Sequence, residues 1–325
     1  MKVLVTGGAG FIGRYTVKRL IEVGDQVVVV DRKPDVGRLF SDLGVTVYQQ
    51  DIGSEQMEKI FADERPDSVI HLAAQVSVRR SLQNPLDDAE TNIMGTVRLL
   101  QLCARYHVQK IVFASSAAVY GNPRQVPIKE THITEPLSFY GVSKRVSEMY
   151  IETFALRHDL DYSILRYANV YGIRESRTGE DGVLTAFVER IMAGLPLEIY
   201  GDGLQTRDFI YVKDVAEANV AALRSGEQQI MNISSGAGIS LLETVGILKE
   251  LCGRNVNPQF LPAQAGDIEH SVLDNGKARD ILWWEPSYSI YEGLREMVDF
   301  ELDARQNPML VQRAGVSYSE ASSVI

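Results

Sequence analysis

Short apolar runs rich in Val and Ile alternate with longer stretches of helical periodicity through the first half of the chain. The runs occupy residues 3–5, 27–30, 45–48, 68–71, 111–114 and 163–165. They are too short for helices and rich in Val and Ile, the pattern of buried parallel strands joined by helical crossovers. This predicts an α/β fold, a Rossmann-type doubly wound parallel sheet. Beyond residue 169 the pattern loosens, with strand-like pieces at 198–200 and 231–233 and helical pieces at 215–223 and 241–251. We read residues 1–169 as a dinucleotide-binding domain, rejoined by about 208–234. Residues 170–305 then form a smaller substrate-binding lobe, and residues 306–325 an irregular tail.

Composition narrows the class of partner. The 325 residues carry 33 Lys and Arg against 43 Asp and Glu, a formal net charge of -10. That balance argues against a nucleic-acid surface, so an anionic ligand must be met by a few local cations. The two cysteines, Cys103 and Cys252, signal neither a disulfide framework nor a zinc site. No run reaches the length of a membrane span, and the N-terminal run lacks the apolar core of a signal peptide, so the expectation is a cytoplasmic protein without a membrane partner. The five histidines show no ligand spacing, and no metal is expected.

Candidate chemistry begins at Thr6-Gly7-Gly8-Ala9-Gly10-Phe11-Ile12-Gly13. Glycines at 7, 10 and 13, between a strand and a helix, allow a tight turn and close backbone approach to a pyrophosphate at the helix N-terminus. Asp31, ending the next strand, would accept from ribose hydroxyls and repel a 2'-phosphate, which favours NAD over NADP. Arg32 and Lys33 read as solvated loop cations. Asp51 and Ile52 could hold the adenine edge, or Asp51 could cap the following helix. Tyr140 and Lys144 share a helix face, where a cation lowers a phenol's pKa and fits it for proton transfer. Ser115 and Ser116 end the fifth strand, where open parallel sheets place their ligand crevice. Ser116 could share a proton with Tyr140, or close a local turn.

With these residues in view, the chain resembles the extended short-chain dehydrogenase/reductases, and among them most the UDP-glucose 4-epimerases. The resemblance runs over about residues 1 to 303. Besides the glycine motif it is carried by His71-Leu72-Ala73-Ala74, Asn92, the segment 115–121, Tyr140 with Lys144, and the segment 165–172. Gly201-Asp202-Gly203, Arg207-Asp208-Phe209 and Trp284-Glu285-Pro286 extend it. It implies Ser116, Tyr140 and Lys144 as the catalytic set, and Leu72, Ala73, Ala74, Asn92, Ser115 and Tyr167 around a retained NAD. For the sugar nucleotide it implies Asn169 and Arg207 at the diphosphate, Tyr200 near the base, Ser77 or Arg79 near the sugar and Asp267 at the ribose. A homodimer packed through helices near 86–106 and 140–157 is also implied.

The activity implied is inversion at C4 of a UDP-sugar through a 4-keto sugar. A 4,6-dehydratase is disfavoured, because Ala117-Ala118 stand where related dehydratases have an Asp-Glu pair. A redox-silent NAD-binding protein would not need Ser116, Tyr140 and Lys144 together, and a net dehydrogenase would release NADH. One departure is Gln264, where the epimerases usually carry an Arg toward the diphosphate. The sugar could be glucose or galactose, an N-acetylhexosamine, a uronic acid or a pentose. Arg174 and Arg177 could meet a sugar carboxylate but read more simply as loop charges.

Overall fold

A computed structural model describes residues 1–34, 36–174, 182–263 and 268–306. Six strands follow the six apolar runs: β1 (Lys2–Thr6), β2 (Gln26–Asp31), β3 (Thr46–Gln49), β4 (Ser68–His71), β5 (Lys110–Ser116) and β6 (Asp161–Tyr167). With the strand Gln229–Ile233 they make one sheet in the order Gln229–Ile233, β6, β5, β4, β1, β2, β3. Every neighbouring pair is parallel. The expected doubly wound sheet is therefore what the chain forms.

Apolar residues follow one another directly in these runs because successive side chains enter opposite cores. Val3, Val5, Val27, Val29, Ile70, Val112 and Leu165 pack into one apolar cluster. Leu4, Val28, Val30, Val69, Ile111, Phe113 and Ile164 pack into the other. β5 and β6 extend beyond the predicted runs through Lys110, Ser115, Ser116, Arg166 and Tyr167. Hydrophobic patterning stops at such residues, yet Ser115 and Arg166 are buried beside polar partners that come from distant segments.

A third cluster forms the core of the second lobe. Leu184, Phe187, Val188 and Ile191 of the helix Val183–Ala193 meet Leu197 and Ile199, Val245 and Leu248, and Leu294 and Met297. The helix Leu241–Cys252 has the boundaries its sequence advertises. Ser240 and Glu243 form a reciprocal capping box, and Gly253 ends it at φ 60°. Two buried aspartates tie loops to this frame. Asp208 accepts from the backbone of Ser235, Gly236 and Leu273, and Asp214 accepts from Ser287 and Tyr288. The tail expected to be irregular lies, from residue 307 onward, outside the described residues.

The helix Gly276–Leu282 ends on Trp283, which adopts φ 52° and is 91% exposed. A bulky side chain in the left-handed region crowds its own backbone, and an exposed one recovers little by packing. Trp283→Gly is therefore expected to stabilise the protein by about 0.5–1 kcal/mol and raise the thermal midpoint by about 1–2 °C, net of the extra unfolded-state entropy of glycine. Thermal unfolding followed by circular dichroism checks this, and a lowered midpoint contradicts it.

Candidate active site

The glycine turn is built by backbone contact. Gly7 adopts φ 71°, and a Cβ there would lie 2.6 Å from the Ala73 nitrogen; a Cβ on Gly13 would lie 2.7 Å from the Gly8 Cα. A side chain at either position would push β1 away from the loop after β4 or lift the helix off the turn. Gly10 opens the helix Phe11–Glu22 with no side-chain cap, and no acidic residue stands in the first turn. The helix N-terminus thus presents donors and positive dipole to an anion, the requirement of a pyrophosphate.

Asp31 sits at the rim of this turn, buried, accepting from the Ala9 and Lys33 backbone N–H groups at 2.9 Å each. A carboxylate has lone pairs beyond those two, so it can still accept from ribose hydroxyls. Lys33 departs from its reading as a solvated cation: it is half-buried and its Nζ donates to the Ala9 carbonyl at 2.9 Å. Burial, with Arg14 and Arg174 nearby, lowers its pKa. Arg32 is exposed and lies 3.7 Å from Asp51. Asp51 does not cap the next helix, whose N-cap is Glu55, but accepts from the Gly53 N–H. Ile52 is buried beneath Gly95. Arg174 packs its guanidinium 4.2 Å from the centre of the Phe11 ring, and Arg177 lies outside the described residues.

The loop after β4 brings Leu72, Ala73 and Ala74 against the turn, with the Leu72 and Ala73 N–H groups on Thr6. His71 beneath it is wholly buried. The Thr96 hydroxyl donates to the Asn92 carbonyl, so His71 Nε2 carries the proton toward Thr96 and Nδ1 accepts from Thr6. Burial, aided by the Lys144 charge, pushes its pKa down to about 3. It is a neutral brace rather than an acid.

Asn92 lies in a single π-helical turn, Glu90–Met94, the kind of widened turn that often marks a working site. Its side-chain amide pairs both ways with the Gln75 backbone and donates to Ser143. Ser115 and Tyr167 spend their hydroxyls elsewhere, on Glu148 at 2.6 Å and on Asn219 at 2.6 Å. What they can offer a cofactor is backbone and ring face.

The helix Phe139–Arg157 starts at the Ser138 cap, and Gly141 seats it on the short turn Ala117–Val119: a Cβ at Gly141 would lie 2.5 Å from the Ala118 carbonyl oxygen. This contact places Tyr140 beside Ser116, whose hydroxyl is close enough to favour the phenolate. Ser116 Oγ accepts from the Ala118 N–H, so this serine closes the local turn. Lys144 is buried one helical turn on, donating from Nζ to the Ala114 carbonyl at 2.8 Å.

Burial drives the lysine pKa down to about 8, against the opposing pull of Asp88 and Glu148. The phenol behaves differently from the expectation that Lys144 would lower it. Burial raises the Tyr140 pKa and Asp88 adds to the rise, while the Ser116 hydroxyl works against both. The ammonium lies 6.0 Å from the ring centre and is turned to a carbonyl. Desolvation of the phenolate therefore prevails.

Of the residues expected at the sugar nucleotide, Ser77 caps the helix Val78–Gln83 and Arg79 is exposed beside it. Asn169 is exposed and pairs in register with Phe209, which brings it to the segment bearing Arg207. Arg207 is half-buried and donates to the Thr206 carbonyl. Tyr200 is exposed at the end of the strand Leu197–Tyr200. Asp267 and Gln264 lie outside the described residues. Among the described residues no three His, Cys, Asp or Glu side chains group as metal ligands, and no helix is long and apolar enough to cross a membrane.

Sequence reasoning missed the ion pair under the site. Arg166 meets Glu148 through two bonds of 2.9 and 2.7 Å, and Glu148 also takes Ser115 and Arg145. Glu148 stands four residues after Lys144 on the same helix, the one signal that could have marked it.

The profile of the NAD dependent epimerase/dehydratase family matches residues 3–234. A putative UDP-glucose 4-epimerase of Methanocaldococcus jannaschii is 38% identical over 92% of this chain and 97% of its own. The crystal structure of a UDP-glucose 4-epimerase with UDP-glucose from Thermotoga maritima superposes with a TM-score of 0.90 at 42% identity, covering 94% of this chain and all of that one. A Thermus thermophilus UDP-glucose 4-epimerase in complex with NAD gives 0.87 at 39%, with 94% of this chain and all of that one covered. Together with the glycine turn and the Ser116, Tyr140 and Lys144 constellation, this makes the chain a member of the NAD-dependent epimerase/dehydratase family.

Proposed function

We propose that the protein is an NAD-dependent 4-epimerase of UDP-sugars, with UDP-glucose and UDP-galactose as the substrate pair. The observation that carries this is Tyr140, beside Ser116 and one helical turn from the buried Lys144, at the carboxyl edge of the sheet next to the glycine turn. NAD fits that turn through the uncapped helix N-terminus and Asp31. When bound, it supplies the means to take up and give back the hydrogen on C4.

The chain's own residues supply the proton chemistry. Tyr140 takes the proton from the C4 hydroxyl and returns it, with Ser116 orienting both groups. Lys144 contributes positive charge that favours phenolate once substrate and cofactor exclude water. Asn169 and Arg207 anchor the diphosphate, Arg207 as a planar donor able to hold two oxygens. Tyr200 covers the base, Asp267 takes the ribose, and Ser77 and Arg79 flank the sugar. A fixed diphosphate lets the keto sugar turn over and present its other face. Ala117 and Ala118 carry no proton, so elimination of water has no acid or base from them.

Proton NMR of UDP-galactose with purified protein and no added NAD tests this. Anomeric signals of UDP-glucose are expected to grow, and Tyr140→Phe is expected to slow conversion by at least about 100-fold. No conversion with NAD confirmed present contradicts the glucose assignment and points to another UDP-sugar.

We also propose a homodimer. Met94 on one helix and Val142, Met149, Tyr150 and Leu156 on the helix Phe139–Arg157 are exposed and apolar, with Leu86 nearby, more than scattered surface residues require. Light scattering on the eluting protein is expected to give twice the chain mass. A monomer mass contradicts the pairing.

A further inference from the structure

Asp88 is 1% exposed and belongs to none of the proton, diphosphate or cofactor roles above. It projects from the helix Pro85–Ala89 into the space between the loop after β4 and the helix Phe139–Arg157. One carboxylate oxygen accepts from Gln75 Nε2 at 2.8 Å and from Asn92 Nδ2 at 3.2 Å. Both partners are neutral amides, and among the described residues no cation stands within ion-pair distance. A buried carboxylate in that state is costly unless a charge of opposite sign lies close by.

A candidate, Lys144, is on the facing helix. Asn92 Nδ2 also reaches Ser143 Oγ at 3.0 Å, and Ser143 precedes Lys144. Lys144 is itself buried with a carbonyl as its hydrogen-bond acceptor. The other charged or titratable groups around it are Glu148, Tyr140, His71, Arg145 and Arg166. Glu148 is committed to Arg166 and Arg145, and His71 is neutral. Asp88 is thus the one buried carboxylate there whose charge is not already matched.

We propose that Asp88 is a positioning residue for the reaction, its buried carboxylate serving as counter-charge to Lys144 while its hydrogen bonds lock the Gln75 loop to the catalytic helix. The lock has a second end on the substrate side. The Gln75 side chain, oriented by Asp88, grips the Ser77 N–H at 2.6 Å and the Ser77 carbonyl at 2.9 Å, fixing the cap from which Ser77 and Arg79 project. One carboxylate therefore couples the acid–base pair to the sugar end of the site. The electrostatic direction agrees: Asp88 raises the pKa of both Lys144 and Tyr140.

Asp88→Asn separates the two roles, because a carboxamide oxygen can still accept from both amides while the charge is gone. The inference rests on the epimerase reading for its kinetic test and not for its spectroscopic one. In holoenzyme turning over UDP-galactose, the alkaline limb of kcat/KM, set by loss of the Lys144 proton, is expected to move to lower pH by about half to one unit in Asp88→Asn. Gln75→Ala keeps the charge and breaks the lock; it is expected to lower kcat without moving that limb. In protein carrying 13C-lysine, the Lys144 Cε signal, assigned by its loss in Lys144→Ala, is expected to titrate at lower pH in Asp88→Asn. Asp88→Ser provides a second neutral variant if the first does not fold. An unchanged Lys144 titration in a folded neutral variant overturns the proposal, whatever the activity. If the wild type fails to convert UDP-galactose while the titration shifts as expected, the substrate reading falls and the counter-charge stands.

Discussion

The site depends on one side-chain amide. Asn92 holds the loop after β4 by pairing with the Gln75 backbone, and it holds the helix Phe139–Arg157 through Ser143. Its own carbonyl receives Thr96, which fixes the His71 tautomer, and Ser147, one turn beyond Ser143. The loop contacts the glycine turn through the close approach of Ala73 to Gly7, and the helix carries Tyr140 and Lys144. Losing the amide would release a cofactor element and a chemical element from each other at once. The π-helical turn at 90–94 fits this role, since an ordinary α-turn would not carry the same side chain and carbonyl in the same two directions.

Around this hub the protein buries charge in two ways. The Glu148–Arg166 pair is closed, bidentate and further bonded to Ser115, Arg145 and Tyr120. Such a pair adds little net stability but becomes costly if broken, so it fixes β5, β6 and the helix in one arrangement. Lys144 is left open, with a carbonyl partner and a pKa drawn toward neutrality. The rigid pair lets the adjacent ammonium stay poised, because neighbouring charges that could drift into contact with it are already engaged. A poised cation one helical turn from a half-buried phenol is what proton transfer near neutral pH requires.

The sheet was legible because strands buried on both faces carry consecutive Val and Ile residues, and β4 was read to its boundaries. β5 and β6 were read short, since their ends are polar residues whose partners, such as Glu148 and Asn219, come from distant segments. The glycine turn, Asp31 and the Tyr140–Lys144 spacing could be read because each lies within one local stretch, and Ser116 because it ends the fifth strand. Lys33 was misread because only the fold carries its ammonium to the Ala9 carbonyl. The pull expected of Lys144 on the phenol was outweighed by desolvation, which a sequence does not display. Asp88 and Asn92 share the i,i+4 spacing, but Gln75 and Ser143 come to them from distant segments, and topology alone assembles the group.

The account turns on Tyr140 and Ser116 together addressing C4 of a sugar whose diphosphate is held by Asn169 and Arg207. A crystal structure of the protein with NAD and UDP-glucose tests this most directly. The account predicts the C4 hydroxyl within about 2.6–3.2 Å of both the Tyr140 and Ser116 oxygens, with Arg207 on the diphosphate. A sugar bound with C4 out of reach of Tyr140, or a diphosphate held without Arg207, would contradict it.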